Sequence, residues 1–454
     1  MLSAARRLQI LCLAPAVVLG ALEVDLNSKD SIKNAAKQVA YDLMTYYDGN
    51  ETGHVPGILP GPPPDGDYYW WQGGALWGTM IDYWHYTGDD TYNDVTFQAM
   101  QFQVGENEDY APRNWSLSLG NDDQSFWGMS AMLAAENRFQ DPPRDKPQWI
   151  ALAQAVFNDQ SAPDHYDGIC GGGMRWQIAP TNKGYDYKNT IANGCFFNIA
   201  SRLARYYNNE TYAEWAIKTF DWIYNVGYID KDWNVFDGGH VQYNCTDTNR
   251  QQYSYNAAIL LSGAGYMYEY TNGSKVWEDR ITGLLDGMER VFFVNGTLYE
   301  PSCEGGICTS DMLSYKGYVH RWLAVTTLTA PFTRDRIMNL LRSSAEHAVK
   351  QCTGGANGRQ CGFHWTTGVY DGQTGAGQQM NVLGALTSLL VEDANPPVTN
   401  STGGTSIGNP NAGNPKSSVL QETPVTTGDK AGAGILTAFL LGTTITGVLF
   451  MALD

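Results

Sequence analysis

The stretch Gln72–Gln103, QGGALWGTMIDYWHYTGDDTYNDVTFQAMQFQ, sets two kinds of helix side by side. Gln72–Tyr86 is small or aromatic on nearly every side, and a helix without a polar face is buried all round. Thr91–Gln103, after a short polar turn, is amphipathic and needs a neighbour on one face only. An inner helix is thus followed by an outer one.

The alternation recurs along the chain. Helices of the inner kind are expected near Gln124–Asn137, Ile191–Tyr206, Ser254–Tyr270, Tyr315–Thr327 and Gly377–Val391. Those of the outer kind are expected at Ser28–Asp48, Pro147–Phe157, Thr211–Val226, Ser274–Phe292 and Arg334–Lys350. With the opening pair there are six of each. Six such pairs can close into a double ring, so the expected fold is all-α, an (α/α)6 barrel of six inner and six outer helices. An open α-superhelix is the competing arrangement.

The loops leading into the inner helices are long and full of Gly, Asp, Trp and Tyr. They are Gly53–Trp71, Gly105–Asp123, Ala162–Thr190, Ile229–Tyr253, Gly296–Ser314 and Cys352–Ala376. Loops of this length in a compact domain are usually functional. In the barrel every inner helix starts at the same end, so the six loops gather around one cleft.

Asn121-Asp122-Asp123-Gln124 stands at the mouth of the second inner helix. Asp is a favoured helix cap and suits the positive end of the dipole. Capping, however, needs one carboxylate, and here there are two. Neighbouring acids repel, so one holds its proton more tightly than the other. That split is what a nucleophile and an acid/base partner require. Consecutive Cα atoms are about 3.8 Å apart, so the carboxyls reach roughly the 5 Å of a retaining glycosidase and not the wider inverting gap.

The remaining junctions suit a sugar. They read Trp70-Trp71-Gln72-Gly73-Gly74, Gly171-Gly172-Gly173-Met174-Arg175-Trp176, Asp237-Gly238-Gly239-His240, Tyr253-Ser254-Tyr255-Asn256 and Tyr315-Lys316-Gly317-Tyr318. Trp71, Trp176, Asp237, His240, Tyr255 and Lys316 are the expected substrate contacts, by ring stacking and by hydrogen bonds to hydroxyls. The 14 Trp and 27 Tyr, against 29 Lys plus Arg, serve both such faces and an aromatic core. No CxxC or HExxH is present, and no metal or cofactor is expected. The net charge of −18 argues against nucleic acid and anionic lipid as partners.

The two ends give an address. Residues 1–21 carry Arg6 and Arg7, an apolar run and then small residues, the order of a secretory signal peptide. The barrel is expected over 22–394. A flexible linker rich in Gly, Pro, Asn, Ser and Thr follows at 395–430, and an apolar tail at 431–454 completes the pattern of a GPI-attachment signal that is removed. Asn411-Ala412-Gly413 offers the better small triplet for attachment, and Ser417-Ser418 the better spacer. N-glycosylation sequons stand at Asn50, Asn114, Asn209, Asn244, Asn272, Asn295 and Asn400. Of the cysteines outside the signal, Cys303/Cys308 and Cys352/Cys361 are close pairs. Cys170–Cys245 is the expected third bridge, with Cys195 buried and free.

Asn121-Asp122-Asp123-Gln124 ahead of an inner helix, flanked by Trp70-Trp71-Gln72-Gly73 and Gly172-Gly173-Met174-Arg175-Trp176, resembles glycoside hydrolase family 76, the endo-α-1,6-mannanases. The resemblance spans about Asp25–Glu392, and the two ends narrow it to the fungal "defective cell wall" group. It implies an (α/α)6 fold and a retaining double displacement, with Asp122 as nucleophile and Asp123 as acid/base. It further implies an α-1,6-mannosyl donor, mannan or the GPI core glycan, and β-glucan as acceptor for cross-linked wall proteins. A GPI-anchored monomer at the outer face of the plasma membrane and in the wall is the expected form. Plain hydrolysis, a wall protein that binds mannan without turnover, and inversion by Asp123 with Asp237 stay open.

Overall fold

A computed structural model describes residues 20–115 and 118–414, with Lys430, Gly434, Thr437 and 440–443 farther on. The expected signal peptide and C-terminal tail lie almost wholly outside the described residues. The chain divides into one unit ending at Gly413 and a second beginning at Asn414. Beyond Asn414, the described residues of the second unit are helical.

Twelve α-helices make up the described part of the first unit. In chain order they are α1 (Lys29–Met44), α2 (Trp70–Thr87), α3 (Asn93–Phe102), α4 (Asn121–Glu136), α5 (Trp149–Gln160), α6 (Thr190–Tyr207), α7 (Glu210–Asn225), α8 (Ser254–Tyr270), α9 (Lys275–Phe292), α10 (Tyr315–Thr329), α11 (Arg334–Lys350) and α12 (Ala376–Ser388). Each even-numbered helix packs on the next even-numbered one, and α12 packs on α2. The inner ring therefore closes, and the fold is an (α/α)6 barrel.

The two helix types fall where their faces require. Every residue of α6 from Thr190 to Tyr206 is buried. By contrast α9 buries Trp277, Ile281, Leu284, Leu285, Met288 and Phe292, spaced along one face, and leaves charges outside. Inner helices come close where both lack side chains. A Cβ on Gly384 of α12 would stand 2.9 Å from the Gly317 carbonyl oxygen of α10. Two short strands, β1 (Tyr187–Asn189) and β2 (Gly238–His240), pair antiparallel just ahead of α6. Disulfides join Cys170–Cys245, Cys303–Cys308 and Cys352–Cys361, and Cys195 is buried and free, as expected.

One expected boundary moves. The compact unit does not stop before Asn395, because residues 395–413 form a strap against the ring. The backbone N–H of Val398 donates to the Glu136 carbonyl (2.9 Å) and that of Asn400 to the Tyr206 carbonyl (3.0 Å). Arg205 donates to the Pro397 carbonyl at 2.6 Å. Farther on, the Ile150 N–H donates to Ser406 Oγ (3.0 Å), Asn409 N–H to Gln154 Oε1 (2.8 Å), and Asn158 Nδ2 to the carbonyls of Pro410 and Ala412 (2.9 and 2.8 Å). Linker-like composition misleads here for a physical reason. Small residues let the backbone lie close, and a Cβ at Gly404 or Gly408 would strike the hydroxyl of Tyr206 or Tyr207.

Gly384→Val should lower the urea unfolding midpoint with an unchanged slope, at a cost of about 1–3 kcal/mol for the overpacked α10–α12 contact.

Candidate active site

The starts of the inner helices define a cleft of about 650 Å³. Trp70 and Trp71 reach it from α2, Asp122, Asp123 and Phe126 from α4, Tyr255 from α8 and Tyr315 from α10. β1 adds Tyr187 and Asn189, and the loops add Trp115, Trp176, Asp237, Tyr253 and Asp311.

The Asn121–Gln124 run divides its labour. Asn121 and Gln124 are buried and fix the turn. Asn121 Nδ2 donates to the Arg175 carbonyl (2.9 Å), and Gln124 Nε2 donates to the Asp109 carbonyl and to Asp159 Oδ2 (2.8 Å each). Between them the two acids line the cleft. Asp123 also helps close its helix start, for Oδ2 reaches back to accept the Gly120 N–H at 2.7 Å. Asp122 Oδ1 accepts the Asp123 N–H at 3.0 Å. The same side chain that completes the helix end therefore faces the cleft.

Burial makes both acids reluctant to ionise. It pushes Asp122 up to about 7, against hydrogen bonds from the backbone N–H of Asp123 that favour the anion. Burial, and then the charge of Asp122 beside it, raises Asp123 well above the carboxylate range. Asp123 is thus the member of the pair that keeps its proton. A third carboxyl, Asp311, accepts from the Trp71 indole N–H at 3.1 Å, and burial raises it too. Asp237 accepts from the Tyr187 hydroxyl at 2.7 Å and is likewise raised by burial. Four carboxyls therefore share the cleft, and among the described residues no Lys, Arg or His lines it.

Aromatic rings build the walls. Trp71 leans on Phe126 with centroids 4.6 Å apart, Trp70 stacks with Trp127 at 5.2 Å, and Tyr255 lies parallel to Tyr315 at 3.9 Å. Trp176 keeps an exposed face at 37% accessibility. Behind the rim, the buried Lys188 ammonium donates to Asp167 Oδ1 (2.5 Å) and to the carbonyls of Ile169, Gly172 and Gly173 (2.9, 2.8 and 2.7 Å). That one cation gathers the glycine-rich loop that ends at Trp176.

Four of the six expected substrate contacts, Trp71, Trp176, Asp237 and Tyr255, line the cleft. Lys316 does not. Its ammonium is wholly buried, bonded to Glu304 and the Phe363 carbonyl at 2.7 Å each, because one helical step of about 100° turns it away from Tyr315. His240 also stands outside the lining: it is the last residue of β2, paired with Tyr187, and its ring is held by Asp247 at 2.6 Å. Asp311 and Tyr187 were not expected. Asp311 lies in loop rather than at a junction, and at the Tyr315-Lys316 junction it is Tyr315 that lines the cleft. Among the described residues no group of three or more His, Cys, Asp or Glu is placed to hold a metal ion.

The model of glycosyl hydrolase family 76 matches residues 31–401. The mannan endo-1,6-alpha-mannosidase DCW1 of Saccharomyces cerevisiae is 44% identical over 424 residues, 92% of this chain and 93% of that one. A crystal structure of Dfg5 from Chaetomium thermophilum in complex with glucosamine superposes with a TM-score of 0.85 at 58% identity, covering 88% of this chain and 99% of that one. An inactive variant of an alpha-1,6-mannanase from Salegentibacter, with two adjacent aspartates changed to asparagine and α-1,6-mannotriose bound, shares the fold. Its TM-score is 0.63 at 16% identity, over 79% of this chain and 99% of that one.

Burying Asp122 carries a pH-dependent cost. Its raised value means that the folded state holds the proton more tightly than the unfolded chain, so this contribution is complete at low pH and is lost as pH rises through about 7. Asp122→Asn escapes that loss. The variant should unfold in urea much like the wild type near pH 4 and be more stable near pH 8, by on the order of a few kcal/mol.

Proposed function

The chain belongs to glycosyl hydrolase family 76, and on that premise we propose that it cleaves α-1,6-mannosidic bonds by a retaining double displacement and transfers the glycan to a wall acceptor. The carrying observation is the adjacent pair, Asp122 and Asp123, lining one aromatic cleft with unequal hold on their protons. Ionised Asp122 attacks the anomeric carbon as protonated Asp123 gives its proton to the departing glycosidic oxygen. The result is a mannosyl ester on Asp122 and a free leaving sugar. Asp123, now a base, takes the proton of an acceptor hydroxyl, whose oxygen attacks the anomeric carbon and frees Asp122. Two inversions give net retention.

Several features support the donor and the setting. Relatives carry the mannan endo-1,6-alpha-mannosidase activity in their names, and the Salegentibacter variant holds α-1,6-mannotriose. Four carboxyls without a competing cation favour a glycan bearing an unacetylated amine, as the GPI core glycan does, and the Chaetomium relative binds glucosamine. A β-glucan acceptor in place of water would follow from the aromatic walls, which order a sugar and exclude solvent. The signal-like start, the GPI-type end and the exposure of all seven sequon asparagines support an anchored, secreted glycoprotein.

Asp122→Asn and Asp123→Asn should each lower turnover of an α-1,6-mannoside by about 10²–10⁴-fold. Azide should restore Asp123→Ala as a mannosyl azide of retained configuration, read by NMR. An inverted first product, or full activity in either variant, would remove the pair from the mechanism. Mass spectrometry of a GPI-glycan donor incubated with and without β-glucan oligomers separates transfer from hydrolysis.

A further inference from the structure

We infer that Phe126 favours a sugar over water as the acceptor, because its ring plugs a polar shaft that runs along the barrel axis to the two acids. The inference rests on the transfer reading above. Along α4 the residues facing the axis recur every three or four positions, the spacing that keeps them on one side of a helix. Asp122 lines the cleft and Phe126 follows one turn on. Met129, Ser130, Leu133 and Asn137 continue the same stripe below it. Those four line a second cavity, a pit of about 40 Å³ at the far end of the inner ring. On α10 the same course runs from Tyr315 in the cleft to Trp322, Val325 and Leu328 in the pit. Cleft and pit are thus the two ends of one axial space. Among the described residues, Phe126 alone lines both.

The pit suits water. Arg321 lines it, paired with Asp82 at 2.5 Å, and so does Arg202, paired with Glu136 at 2.6 Å. Ser130, Ser262 and Asn137 add hydroxyl and amide groups. The volume holds about three water molecules, and a lining of this kind gives each the polar partners it needs. Tyr86, Arg321, Val325 and Leu328 are half-buried and Asn395 is exposed, so bulk solvent reaches the pit from the far end. Above it the Phe126 side chain is 5% exposed and braced across the axis. Its ring centroid stands 4.6 Å from that of Trp71 on α2, and 5.5 and 6.4 Å from those of Tyr318 and Trp322 on α10. An acceptor sugar that seats in the cleft displaces the water above the acids, and the ring excludes the water below them. Were water admitted there, its oxygen would attack the anomeric carbon of the mannosyl ester. The bond to Asp122 would break with its electron pair, and Asp123 would take the water's proton. A sugar hydroxyl follows the same path, so access separates the two outcomes.

The test incubates the purified full chain with α-1,6-mannotriose in isotopically labelled water, with and without β-glucan oligomers, and reads the products by mass spectrometry. Longer mannosides and mixed glycans report transfer, and products that carry the labelled oxygen report hydrolysis. Phe126→Ala should raise the ratio of hydrolysis to transfer about tenfold. Phe126→Leu, which leaves less of a gap, should raise it about twofold and decides the matter alone where the alanine variant does not fold. The ratio is taken within one enzyme, so a lower total rate in either variant does not enter it. Benzene, which seats in apolar cavities of the size a lost ring leaves, should return the Phe126→Ala ratio toward the wild-type value. Transfer by the wild type with the same ratio in the variants would overturn the partition alone, as would a raised ratio that benzene leaves untouched. A wild type that gives no transfer product with either acceptor would overturn the transfer reading and this inference with it.

Discussion

A helix buried on every side can show side chains to a ligand only at its ends. Six of the helices here are of that kind, and their closure into a ring leaves two ends and nothing else. The connections decide which end works. Long loops enter the inner helices at their N-termini, where unpaired backbone N–H groups and the helix dipoles favour negative charge. The cleft, its acids and its aromatic walls all follow from that one restriction. The flanks of the inner helices are spent on packing, and residues such as Gly317 and Gly384 serve that packing alone.

The same restriction explains why a capping residue faces the cleft. At the first turn of α4 the chain has orphan donors to satisfy and a cleft to furnish within four residues. Asp123 does both, giving one oxygen to the Gly120 N–H while the side chain lines the cleft. Asn121 and Gln124 lock the turn from behind, so the acids are positioned by residues that never touch the cleft. Burial then sets the chemistry. It raises both carboxyls, and the charge of one keeps the proton on the other. A site arranged in this way is destabilising at neutral pH by its nature, and the aromatic core around it supplies the offset.

Much of this was legible in the sequence because periodicity is a coarse signal and the barrel is a coarse object. Twelve helices came out in their right places, and the junction segments pointed to the cleft. What failed was finer than the pattern. Lys316 and Tyr315 are neighbours in sequence, but one helical step separates a cleft residue from a buried ion pair. His240 is only three residues beyond Asp237 and faces a different partner. Asp311 sits in loop, where no period reports which way a side chain points. The strap has the composition of a linker, and only its seat on α5 reveals that its glycines serve close approach. Direction and docking depend on three-dimensional partners, and a single chain of letters does not carry them.

Lys188 has a consequence beyond its own hydrogen bonds. Its ammonium is ringed by a carboxylate and three carbonyl oxygens, the company a bound calcium ion would keep. Because the positive charge is covalently part of β1, the loop it organises does not depend on divalent ions in the surroundings. The loop ending at Trp176 is in effect a metal site whose ion cannot leave.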